Sequence, residues 1–287
     1  MGKPSGETAM TYKTILAVFS IHHKEQSLRS AAEICASVGA HLSLLIVKLA
    51  SPPPIGEYAA AVSVDWLDER QRDIVRLETC VEKAKAILDQ TGISFDVATM
   101  YTESAWADDE IGERARYCDL TLVGDGLMAD PELRSRTLDG ALFRSARPVL
   151  IVPRGKTATL TPKKVVLAWD SGFEAARAAR EAMGILAGAD DVQVTMVDPR
   201  ASYGRNGEEP GADIAAYLVR HGVSVAVERL PSGGQSIDEV LNRFAQDASA
   251  ELMVMGAYGH SRMRERVFGG VTRSMLETAS VPVLMVH

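Results

Sequence analysis

The residues best suited to chemistry lie near the carboxyl end of the chain. Met255-Gly256-Ala257-Tyr258-Gly259-His260 closes a short apolar run, and nine residues separate Gly259 from Gly269-Gly270-Val271-Thr272. Gly256 and Gly259 lack a Cβ, so the main chain there can turn through positive φ and approach a ligand closely. Gly269 and Gly270 would leave backbone N–H groups at the start of a helix, where the macrodipole favours an anion. Arg262, Arg264, Arg266 and Arg273 surround this stretch against a single acid, Glu265. In a chain of formal net charge −7, that local excess of cations suits a phosphate chain. A solvated basic loop is the plainer reading, but four glycines at this spacing favour phosphate binding. His260 is a general-base candidate by position only, and a surface histidine is the simpler account of it.

A second candidate ends an earlier apolar run, Trp169-Asp170-Ser171. The Asp170 carboxylate could accept hydrogen bonds from ribose hydroxyls or an adenine amino group. It could equally favour the N-terminus of the helix that follows. Trp169 has Phe19 as its counterpart in the first half and is expected in the core.

The elements that must position these residues come from an internal repeat. Five short apolar runs occur in the same order twice: KTILAVFS, HLSLLIV, GISFDVATM, DLTLVG and ARPVLIVP from residue 13 onward, then KKVVLAWD, VQVTMVD, GVSVAVERL, ELMVMG and SVPVLMVH from residue 163. Helical patterns separate the runs. Residues 171–186 place Phe173, Ala176, Ala179, Met183 and Leu186 on one face, and Ser171–Glu174 and Ser236–Glu239 fit capping boxes. Strands apolar on both faces, alternating with helices, imply a parallel sheet covered on both sides. The fold class is therefore α/β: two tandem doubly wound domains, residues 11–153 and 162–287, each with five parallel strands in the order 3-2-1-4-5. Residues 154–162 form the linker, and residues 57–90 of the first domain are an additional helical stretch. In such a sheet ligands bind beyond the carboxyl ends of strands one and four, where the winding reverses. Asp170 and the glycine stretch follow those two strands.

The first domain fails the same test. Ser20 stands where Asp170 does, Leu127 replaces Gly259, and Ser135 and Arg136 fall at the positions of Gly269 and Gly270. Asp125, Asp130 and Glu132 would also repel phosphate, so this half is expected to be empty.

Composition narrows the partners. With 46% hydrophobic and 24% charged residues the chain reads as an ordinary soluble protein, and its acidity disfavours nucleic acid or an anionic membrane. No apolar run approaches the ~20 residues that span a bilayer. The opening MGKPSGETAM lacks the apolar core of a signal peptide and reads as a short disordered tail. Cys35, Cys80 and Cys118 are too few and too far apart for a disulfide framework, so a reduced, cytoplasmic protein is expected. His22 and His23 have no ligand-spaced companions, and no metal site is expected. Gly155-Lys156-Thr157 imitates the end of a Walker A loop, but Leu150 replaces the earlier glycine and the segment lies in the linker.

These motifs, G-x2-G-x9-G at Gly256, Gly259 and Gly269 with Val281-Pro282-Val283-Leu284 closing the repeat, make both halves resemble the universal stress protein family. The resemblance implies a Rossmann-like fold of the adenine-nucleotide alpha hydrolase kind and a bound ATP or AMP, with or without Mg²⁺. It assigns Asp170 to the nucleoside and the Val197 backbone to adenine. The loop set is Met255, Gly256, Gly259, His260, Gly269, Gly270, Val271 and Thr272, of which the glycines, Val271 and Thr272 meet phosphate and ribose. It also implies an internal pseudo-dimer of the two domains through their last strands, which could dimerise further. One position departs from the family: Gly270 stands where a Ser or Thr hydroxyl would contact phosphate. The expected function is that of a nucleotide-binding stress or regulatory protein without efficient catalysis. A non-nucleotide adaptor and a slow ATPase are the alternatives.

Overall fold

A computed structural model describes residues 12–52, 64–128, 130–199, 208–257 and 270–287. The chain divides into two compact units, Lys13–Val149 and Leu150–His287. Tyr12 belongs to the second, where its phenol donates to the Glu181 carbonyl oxygen at 3.1 Å.

In the first unit the order is β1 (Thr14–Ser20), α1 (Glu25–Val38), β2 (His41–Ala50), α2 (Val64–Leu88), β3 (Phe95–Glu103), α3 (Ser104–Ala115), β4 (Leu120–Val123), α4 (Asp125–Met128), α5 (Pro131–Asp139) and a π-helical turn (Gly140–Arg144), and β5 (Val149–Ile151) begins at its last residue. β1 lies between β2 and β4 in parallel register, with Ile15 opposite both Leu42 and Leu120. β3 flanks β2, and β5 follows β4, giving the order β3-β2-β1-β4-β5. The additional helix predicted over 57–90 is α2, which begins at Val64; residues 57–63 lie outside the described residues. The N-terminal tail predicted for residues 1–10 also lies outside them.

The second unit repeats the plan with β6 (Lys164–Ala168), α6 (Phe173–Glu181), α7 (Met183–Gly188), β7 (Asp191–Val197), α8 (Ala212–Arg220), β8 (Val225–Leu230), α9 (Ile237–Asp247), β9 (Leu252–Gly256), α10 (Gly270–Thr278) and β10 (Val283–Val286). The strand order is β8-β7-β6-β9-β10, again parallel. Central strands such as β1 and β9 are apolar on both faces because helices cover both. β3 and β8 depart from that expectation, with half-exposed residues along strands that pair only with β2 and β7. The linker residue Leu160 is buried, and the Walker-like Gly155 sits in a turn at φ +70° with Lys156 N–H on the Pro153 carbonyl, not at a strand-to-helix junction.

The helix after β6 corrects two expectations. It breaks at Ala182 into α6 and α7, and its buried face is Ala175, Ala178, Ala179, Ala182, Ile185 and Leu186. Phe173, placed on the core face by spacing, is 91% exposed, and Ala176 and Met183 are only partly covered. The reason is distance: alanines let the helix backbone lie close on the sheet, and a phenylalanine facing inward would hold it off. Nor is there a Ser171–Glu174 capping box, since Gly172 is the N-cap and Ser171 has φ +63°. The second box does form, with Ser236 N–H donating to Glu239 Oε2 at 3.0 Å.

All three cysteines are free, Cys35 and Cys118 buried and Cys80 partly so. Burial pushes the Cys35 thiol from 9.0 up to about 12 and the Cys118 thiol up to about 11. Above pH 9 the unfolded chain therefore sheds thiol protons that the folded chain keeps, so stability falls as pH rises toward those values. Native protein at pH 8 is expected to react with Ellman's reagent at Cys80 alone, with all three thiols reacting in denaturant. Urea midpoints are expected to decline steadily from pH 8.5 to 10.5. Fast native labelling of Cys35 would contradict this packing.

Candidate functional site

Parallel register brings the predicted positions to one edge of the second sheet. β6 lies between β7 and β9, with Leu167 opposite both Val194 and Val254, so Asp170, Val197 and Gly256 all close their strands on the same side. The chain leaves β6 toward β7 on one side and returns as β9 on the other, which makes this edge the switch point of the winding.

Asp170 is exposed, and its Oδ1 accepts the Gly172 N–H at 2.8 Å. The carboxylate thus shapes the entry into α6, as the plainer of the two readings expected, while remaining at the mouth. Ser171 inside this turn has φ +63°, and Asp198, next after Val197, has φ +47°. Left-handed backbone at a non-glycine residue costs roughly 1–2 kcal/mol and concentrates where geometry is tightly determined. Asp198 is held by its N–H on the Leu230 carbonyl (2.9 Å) and by its Oδ1, which accepts the Ser232 N–H (3.0 Å). Val197 itself pairs with Leu230 and is half-buried.

Met255 is buried opposite Met285. At Gly256 the expected positive φ is absent. Its missing Cβ makes room for protein: a Cβ there would lie 2.6 Å from both the Ala175 nitrogen and the Glu174 carbonyl carbon. The first turn of α6 therefore rests directly on the end of β9. Ala257 is buried and donates its N–H to the Val286 carbonyl at 2.8 Å. Gly270 opens α10, is exposed, and a Cβ on it would meet nothing within 4 Å. Val271 is half-buried and Thr272 is 4% exposed. Arg273, counted among the cations, pairs along the helix with Glu277 at 3.3 Å. Gly259, His260 and Gly269 lie outside the described residues, as do Ser261, Arg262, Arg264, Glu265 and Arg266. Trp169, expected in the core, is half-buried.

Sequence reasoning missed the polar seam under α10, where Ser274 Oγ donates to Asp238 Oδ2 at 2.5 Å. The repeated four-residue step, Asp238–Asn242 against Ser274–Thr278, is the signal that could have revealed it. No group of three or more metal-ligating side chains occurs among the described residues.

The corresponding mouth of the first unit is filled. Leu127 is fully buried in α4, and a Cβ on Gly126 would strike the Phe19 ring, itself buried edge-on against His23. Arg136, at the position of Gly270, donates its Nε to Ser104 Oγ at 3.1 Å and pairs with Asp108 at 3.8 Å.

Residues 161–287 match the universal stress protein family. Universal stress protein Slr1230 of Synechocystis is 29% identical over 146 residues, 48% of this chain and 46% of that protein, so the chain matches about half of that relative's length. A universal stress protein from Archaeoglobus fulgidus shares the fold over 96% of this chain and 99% of its own, with a TM-score of 0.67 at 15% identity. A candidate universal stress protein from Pseudomonas aeruginosa does so over 96% and 93%, with a TM-score of 0.55 at 18% identity.

Gly256→Ala is expected to cost about 1–3 kcal/mol, because backbone atoms cannot move aside for the methyl. Gly270→Ala, with open space around it, should stay within about 0.5 kcal/mol of the parent. Urea unfolding followed by circular dichroism measures both, and equal stability of the two variants would contradict the packing at β9.

Proposed function

We propose that residues 161–287, the part that matches the universal stress protein family, bind an adenine nucleotide, ATP or AMP, with its phosphates at the start of α10. The observation that supports this most is the convergence on one sheet edge of an exposed carboxylate at Asp170, the end of β9 and an unobstructed helix start at Gly270. The bound nucleotide acts as a regulatory ligand, and turnover is absent or slow. The first unit, whose equivalent mouth holds Phe19 and Leu127, takes no nucleotide. Three free cysteines fit a reducing compartment, the cytoplasm. No helix among the described residues is long and apolar enough to cross a membrane.

A second reading, an adaptor without nucleotide, is favoured by the exposed apolar residues Val64 and Leu67 of α2 and by the missing hydroxyl at position 270.

Purified protein, denatured and chromatographed, is expected to release adenine nucleotide, and calorimetry should detect binding of Mg·ATP or AMP that Gly259→Val abolishes. Gly270→Ser returns a hydroxyl where space allows. A hydrogen bond to a charged group contributes ~1.5–3 kcal/mol, so affinity should rise about ten- to a hundredfold. Phosphate release should not exceed that of the Gly259→Val variant. No nucleotide in the supernatant and no thermal shift with millimolar Mg·ATP would refute the nucleotide reading and favour the adaptor.

A further inference from the structure

The last helix of the second unit is tied to α9 by side chains that have no part in the mouth itself. Asp238 and Asn242 stand one turn apart on α9, as Ser274 and Thr278 do on α10, so each pair shares a helix face. Ser274 Oγ donates to Asp238 Oδ2 at 2.5 Å. Asn242 Nδ2 donates to Thr278 Oγ1 at 3.4 Å, and that hydroxyl in turn donates to the Ser274 carbonyl at 2.9 Å. Ser280 closes the seam, its N–H on Asn242 Oδ1 (2.9 Å) and its hydroxyl on the Asn242 carbonyl (3.2 Å). Asp238 is only 9% exposed, so its carboxylate takes the Ser274 hydroxyl in place of water.

The first unit solves the same contact differently. Gly140 and Arg144 lie eight and four residues before Pro148, as Ser274 and Thr278 lie before Pro282. There the helices meet backbone to backbone: a Cβ on Gly140 would strike the Asp108 carbonyl oxygen, and one on Gly112 would strike Arg144 Cβ. Arg144 adds ion pairs to Asp108 (3.7 Å) and Asp109 (3.1 Å). Steric contact of that kind sets a fixed spacing. A hydrogen-bonded seam sets the spacing through groups that can be exchanged for water, and it lies under the helix that begins at Gly270.

We infer that Asp238 and Asn242 are positioning residues: they hold α10 against α9 so that its first turn, from Gly270 to Thr272, stays at the mouth beside Asp170. The effect on a ligand rests on the nucleotide reading above; the effect on α10 does not.

Hydrogen–deuterium exchange of the full chain, with Mg·ATP calorimetry on the same samples, tests this. In Asp238→Ala and Asn242→Ala, amides of residues 270–278 are expected to exchange about tenfold faster, while β6, β7 and β9 keep their protection, and Mg·ATP is expected to bind about tenfold more weakly. Asp238→Asn retains an acceptor for Ser274 and should restore exchange to within about threefold of the parent. Should Asp238→Ala fail to fold, Ser274→Ala cuts the same hydrogen bond from the α10 side and takes its place. Unchanged exchange over α10, or a rise spread evenly over the unit, overturns the positioning role. Faster exchange with undiminished affinity overturns its link to the ligand. A parent protein that binds no nucleotide defeats the functional reading instead, and the exchange result then decides the seam alone.

Discussion

The mouth of the second sheet depends on one close contact, the first turn of α6 lying on Gly256. With no side chain at that position, main-chain atoms of Glu174 and Ala175 take the space a Cβ would occupy. The turn that carries Asp170, Ser171 and Gly172 is thereby pinned to the end of β9, and the carboxylate comes to rest at the switch point between β6 and β9. A single methyl at 256 would lift the helix and move the carboxylate with it. Gly256 is therefore a packing residue first, whatever it also offers a ligand.

Much of the architecture was legible because it repeats. Ten apolar runs, five in each half, announced ten strands, and parallel register follows from helices between them. What periodicity could not resolve was rotation. Phe173, Ala176 and Met183 match a helical face by spacing, yet the core side is the alanine row beginning at Ala175. Hydrophobicity alone ranks phenylalanine inward; the distance between helix and sheet, invisible in sequence, turns it outward. Ser171 likewise has the type and spacing of an N-cap, but its left-handed backbone leaves that role to Gly172. Of the site, the strand ends Asp170, Val197 and Gly256 were readable from the order of the runs. The seam from Asp238 to Ser280 was not, since its residues are unremarkable polar types on two separate helices.

The two units show how one plan diverges at its mouth. In the first, Phe19 turns toward Gly126, Leu127 enters the core and Arg136 is engaged by Ser104 and Asp108. In the second, the equivalent of Arg136 is a bare glycine with open space beyond it. The same plan thus carries a filled edge in the first unit and, at position 270 of the second, a helix start with room for a side chain.

The alanine row of α6 has an energetic side. Apolar burial stabilises in proportion to area, at roughly 25 cal/mol per Å², and an alanine methyl contributes little of it. The strands beneath bring valines, leucines and methionines to the core, while α6 brings a row of small residues that lets it lie close to them. Enlarging Ala175, Ala178 or Ala179 would therefore push out the segment bearing Asp170 before it disturbed the strands.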